Sequence, residues 1–179
     1  MHRRILRSSK GFTLVEAMVV VCIIAAMAGF SYSGFTARQK KEQLRSAAML
    51  LVEYLREAKM EAIEKTTPVL ATATGTTTYT TFIDQNLDGV YTAGTDTLVH
   101  QVTLDSQYPG VSFNPAPNFT LTFNSSGIPS STGTFPASFV LTETYRSTVY
   151  TSTVTVSSVG MIDVLPCNGA LNCLDLSYN

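Results

Sequence analysis

A single carboxylate, Glu16, interrupts the apolar run of residues 11–35, GFTLVEAMVVVCIIAAMAGFSYSGF. At membrane depth such a charge costs roughly 2.5–3.5 kcal/mol on insertion scales, so it needs a partner or a task. Gly11-Phe12-Thr13-Leu14-Val15 separates it from a basic leader bearing Arg3, Arg4, Arg7 and Lys10. Two further sets of residues have spacings that suit chemistry. Asp84-x-Asn86-x-Asp88-Gly89, with Asp96 following, offers oxygens at the first, third and fifth positions of a calcium loop and glycine at the sixth. The twelfth position, where such a loop places a bidentate glutamate, is Thr95, and Asp96 comes one residue late. Asn, Asp and Gly are equally the residues of a plain hairpin turn, and neither flank is strongly helical. Cys167 and Cys173, in PCNGALNC, form the remaining pair. Asn168 and Gly169 allow a turn between them, so outside the cytoplasm they can close a small disulfide loop. They supply only half a tetrahedral zinc site, and no histidine lies near. Cys22, within the apolar run, reads as a small hydrophobe.

Other chemistries have weaker support. The histidines are His2, in the leader, and His100, in a strand-like run, where a surface or satisfied sheet residue is expected rather than a base. No nucleophile–base pattern accompanies them, and neither a phosphate-cradling glycine loop nor an HExxH occurs. The reading is therefore of a protein that is not an enzyme and needs no cofactor. Charge is unevenly distributed: residues 66–179 carry Arg146 against seven carboxylates, a net of −6. Such a segment repels phosphate backbones. Arg38, Lys40, Lys41 and Arg45 lie on the helix, where anionic headgroups or neighbouring subunits are the expected partners rather than nucleic acid.

The elements that must position these residues follow from periodicity. From Phe12 nearly to Lys65 no proline occurs. The first part is apolar all round for about 24 residues, roughly 36 Å as a helix, enough to cross a bilayer. Beyond Arg38, Leu44, Ala48, Leu51, Leu55, Ala58 and Ala62 recur every three or four residues, while Glu53, Glu57, Glu61 and Glu64 lie off that stripe. Glu61 and Lys65 stand four apart in the favourable orientation. Pro68 disfavours a helical Thr67 and ends the segment. The pattern then becomes strand-like, with candidates at 69–73, 76–83, 97–104, 119–123, 138–143, 148–157 and 161–165, separated by turn residues. The expected fold class is α+β: a long N-terminal helix, transmembrane in its N-terminal half, packed on a C-terminal domain of antiparallel β-sheets. Its expected organisation is a leader at 1–11, a transmembrane helix at 12–35, an amphipathic continuation at 36–67 and a β-rich domain at 68–179.

The GFTLVE string after a basic leader resembles the processing site of the type IV pilin family, which includes the pseudopilins of type II secretion. A generic signal anchor also has basic residues before an apolar helix. Ala25-Ala26-Met27-Ala28 could pass for a conventional cleavage site. Neither alternative accounts for Glu16. Later stretches are similar to the GspH/FimT pseudopilins. They are Phe82-Ile83-Asp84-Gln85-Asn86-Leu87-Asp88-Gly89, then Phe123-Asn124-Ser125-Ser126-Gly127, and Val154–Gly160. Met161, Ile162 and Asp163 stand where DNA-binding members carry basic residues, and Ser33 stands where major pilins often place a kinking proline.

The resemblance implies a pilin-like fold and a structural role. Prepilin peptidase would cut between Gly11 and Phe12 and methylate Phe12. Glu16 would pair with the terminal amino group of a neighbouring subunit. Expected partners are other pilins or pseudopilins, the peptidase and an inner-membrane assembly platform. The C-terminal domain would be periplasmic. A secretion pseudopilus, a type IV pilus and a DNA-uptake filament share this anchor, so the choice among them stays open, with secretion favoured.

Overall fold

The computed structural model of the chain describes residues 12–165, and for 28–34 the backbone alone. One helix, α1 (Leu14–Lys65), begins the described chain without a break. By its contacts the chain divides at Arg38/Gln39 into two compact units. In the first, the apolar side chains of 12–27 are exposed on every face. Among the described residues, no helix is long and apolar enough to cross a membrane.

In the second unit the helix has one apolar stripe, and all of it is buried. Leu44, Ala48, Leu51, Leu55, Ala58 and Ala62 are covered, joined by Ala47 and Val52. The off-stripe Glu53, Glu57 and Glu64 are exposed, and the expected Glu61–Lys65 pair forms at 3.5 Å. The helix stops where Thr66 takes a left-handed conformation, φ 55°, a place usually given to glycine or asparagine. Thr67 Oγ1 then donates to the Lys65 carbonyl at 3.0 Å, serving one of the acceptors a helix end leaves open. Pro68 leads into the first strand.

Among the described residues, nine strands follow in two antiparallel sheets: β1 (Val69–Thr74), β2 (Thr78–Ile83), β3 (Thr97–Thr103), β4 (Val111–Phe113), β5 (Thr120–Phe123), β6 (Pro129–Ser131), β7 (Ala137–Tyr145), β8 (Thr148–Val156) and β9 (Ile162–Leu165). A five-stranded sheet runs β3-β2-β1-β5-β6, and a four-stranded sheet runs β4-β7-β8-β9. All seven expected strands are present. Two three-residue strands, β4 and β6, and a helical turn, α2 (Leu104–Gln107), were not expected from the sequence. Such short elements carry no period to read, and β6 begins with Pro129, tolerated at the start of an edge strand.

The sheets are read by alternation. Along β7, Ala137, Phe139, Leu141 and Glu143 are buried at every second position. In the five-stranded sheet, Val69, Ala71, Tyr79, Ile83, Leu121 and Phe123 join the helix stripe and the second sheet in one core. Leu70 and Phe82, one residue out of phase, belong to the opposite face, since neighbouring strand residues point to opposite sides. There Phe82 is met edge-on by Tyr91 at 5.4 Å, from the loop joining β2 to β3.

Candidate functional site

The first turn of α1 is set by Thr13. Its Oγ1 accepts the Glu16 backbone N–H at 3.2 Å, and its carbonyl accepts the Ala17 N–H. Thr13-x-x-Glu16 therefore has the spacing of a capping box, a signal passed over when the motif is read only for processing. Glu16 sits three residues into the helix, where the positive end of the helix dipole favours a carboxylate. Phe12 precedes the cap with its ring exposed, and Glu16 is exposed as well. Around them Leu14, Val15, Met18, Val21 and Ile24 are all more than half exposed. The arrangement places one negative charge a single turn from Phe12, on a surface otherwise apolar. Such a surface can meet lipid or other apolar helices, and its carboxylate can receive an ammonium.

Gly11, Cys167 and Cys173 lie outside the described residues, so the cleavage and disulfide expectations concern positions without described geometry. The calcium-loop residues fall together. One oxygen from each of Asp84, Asp88 and Asp96 lies within 4.8 Å of the others, and Asn86 is bonded to Asp88.

Of the four helix cations expected to face headgroups or neighbours, Arg38 is exposed and Lys40 is engaged inside the domain. Lys40 Nζ lies 2.9 Å from Glu143 Oε1 and donates to the Pro109 carbonyl at 2.9 Å. Glu143 is 1 % exposed, and a buried charge requires such a partner. Lys41 sits over the Tyr150 ring at 5.0 Å, and Arg45 pairs with Glu42 at 3.7 Å. Arg146 lies over Tyr145 in the β7–β8 turn. No local signal points to the meeting of Lys40 and Glu143, because 103 positions separate them. His100 is satisfied: Nε2 lies 2.7 Å from Glu57 Oε2, and the ring stacks on Tyr54 at 3.9 Å.

Two motif glycines converge on the end of α1. A Cβ on Gly127 would stand 2.7 Å from Ile63 Cδ1. A Cβ on Gly160 would stand 3.0 Å from Lys59 Nζ and 3.2 Å from the Gly127 carbonyl. Both have positive φ. Lys59 Nζ donates to the Gly160 carbonyl at 3.0 Å, tying the helix to the β8–β9 turn. These glycines serve close packing rather than chemistry.

Comparison with known proteins agrees with this geometry. The family model described as type II transport protein GspH matches residues 47–160, covering most of the buried stripe of α1 and the strands through the Gly160 turn. The model of the prokaryotic N-terminal methylation motif matches residues 6–32, around Gly11, Phe12 and Glu16. No curated protein and no solved structure matches the chain. Since the first match takes in more than half of the sequence and the second supplies the leader such subunits share, the chain belongs to the GspH family of pilin-like pseudopilins.

Proposed function

We propose that this protein is a minor pseudopilin, a structural subunit of a type II secretion pseudopilus. In this reading residues 1–11 are a leader held on the cytoplasmic side by their basic residues. Prepilin peptidase removes it after Gly11 and methylates Phe12. Residues 12–35 anchor the subunit in the inner membrane before assembly. The domain from residue 68 lies in the periplasm, where Cys167 and Cys173 form a disulfide. The processed helix then leaves lipid through the assembly platform to bundle with sister helices.

The observation that carries the proposal is the contrast at the start of α1, where Glu16 stands alone on an exposed apolar surface. In lipid its charge is costly. In a filament core the amino group at Phe12 of the next subunit neutralises it, and the pair sets the axial offset between subunits. Removing one partner of a buried pair costs about 3–5 kcal/mol, enough to exclude a subunit. The acidic domain favours this role over nucleic-acid uptake. A pilus subunit would share the same assembly chemistry, and the GspH match favours secretion.

The test is Glu16→Ala, expressed with the sister subunits. Leader removal, read by the mass of the chain, should be unchanged, while cross-linking into the filament should fall by about ten-fold or more. Normal co-assembly of that variant would refute the charge-pairing mechanism. A native chain that keeps Met1 beside active peptidase would refute the processing step.

A further inference from the structure

We infer that the loop joining β2 to β3, residues 84–96, is a calcium site formed by Asp84, Asp88 and Asp96. The inference is independent of how the filament assembles. Asp84 directly follows β2 and Asp96 directly precedes β3, so the sheet itself brings the two ends of the loop together through the Ile83–Thr97 pairing. Asp88 returns between them at the turn made by Gly89, whose φ is +78°.

Hydrogen-bond accounting distinguishes the site from a simple turn. Asp96 is satisfied at both oxygens, by the Gln85 N–H at 3.1 Å and the Thr92 N–H at 2.7 Å. Asp88 is satisfied too, by the Val90 N–H and the Asn86 side-chain amide, both at 2.7 Å. Asp84 Oδ2 accepts the Gly89 N–H at 2.8 Å. Asp84 Oδ1, on a residue only 3 % exposed, has no hydrogen-bond partner. A buried carboxylate oxygen without a donor bears its desolvation penalty uncompensated. Two further carboxylates beside it add repulsion. Among the described ion pairs, none brings a lysine, arginine or histidine to these three residues. A cation relieves both penalties, and each satisfied oxygen keeps a second lone pair for it.

The donor set selects the ion. It contains oxygen and neither sulfur nor imidazole, which favours a hard cation. Oxygens on opposite sides of calcium stand roughly 4.6–5.2 Å apart, a limit the cluster respects. Magnesium demands tighter octahedral geometry. Without a bidentate glutamate at the twelfth position, water must complete the shell, and affinity belongs in the range of extracellular modules, Kd about 10⁻⁴–10⁻³ M. The bound ion would fix a loop that already lies over the outer sheet face through Tyr91 and Phe82.

Equilibrium dialysis of the full chain in mild detergent, with radioactive calcium, tests the site. The native chain should take up about one ion, with a melting temperature raised by calcium and less so by equal magnesium. Asp84→Asn and Asp88→Ala should each weaken uptake about ten-fold or more, because ligand charge sets affinity. Asp88 is exposed, so its variant decides the matter should Asp84→Asn fail to fold by circular dichroism. No saturable uptake by the native chain up to about 10 mM, ten times the weakest Kd expected, overturns the proposal. So does uptake at native strength in a folded Asp88→Ala chain.

Discussion

The two ends of one helix treat their apolar residues in opposite ways. Near the start of α1, Leu14, Val15, Met18, Val19 and Ile24 are exposed on all sides. Near its end, Leu44, Leu51 and Leu55 are fully covered by the sheets, while charged residues occupy the other faces. The later stripe contributes to the stability of its own domain. The earlier surface is exposed among the described residues, and its apolar area can meet lipid or other helices. Backbone conformation is the same in both parts, so what differs is where each finds its partner.

Substitutions in the two parts should separate those contributions. Leu55→Ala opens a cavity in the core and should lower unfolding stability by about 3–5 kcal/mol. Val19→Ala should leave the domain transition unchanged within about 0.5 kcal/mol. Denaturant titration of the full chain in detergent, followed by circular dichroism, measures both. A comparable loss from Val19→Ala would end the distinction drawn above.

The Lys40–Glu143 pair sharpens the picture, because it carries helix charge into the core. Lys40→Ala leaves a buried carboxylate unpaired and should cost about 3 kcal/mol, the lower end for a buried pair because the ammonium is partly wetted. Adding Glu143→Leu should restore most of that loss. A single variant as stable as the native chain would show that the pair is incidental.

A modest effect at neutral pH belongs to Tyr79. Burial pushes its phenol well above the ordinary range, with Tyr54 and Tyr108 adding to the shift, and its hydroxyl has no hydrogen-bond partner. The unfolded phenol ionises near pH 10 while the folded one stays neutral, so the folded state holds the extra proton. Its contribution is fully present below pH 10 and falls by up to about 1.4 kcal/mol for each pH unit above it. Tyr79→Phe should flatten that alkaline decline and change stability at pH 7 by no more than about 1 kcal/mol. An unchanged alkaline slope would contradict the assignment.

Much of the fold was legible beforehand because its signals are local and periodic. The stripe from Leu44 to Ala62 repeats at helical spacing, and the Thr148–Val156 run is rich in β-branched residues. β4 and β6 were not legible, since three residues show no period and Pro129 reads as a break. For the candidate sites, GFTLVE marked the N-terminal methylation motif through residue identity alone, while Thr13 as the helix cap is the weaker signal beside it. Asp84, Asn86 and Asp88 were recognisable by spacing. The departure at Thr95 makes Asp96 ambiguous by spacing, and the Ile83–Thr97 pairing brings it near Asp84.

By itself the sequence determined the family, the order of helix and strands, and the acidic residues with no cation near them in the chain. These depend on neighbours within a few positions, where covalent connection fixes what can meet. Tertiary structure decided which charges are engaged: Lys40 with Glu143, His100 with Glu57, and Asp84 with one oxygen still open. Those meetings depend on strand register and on the face each side chain takes, which sequence distance does not encode.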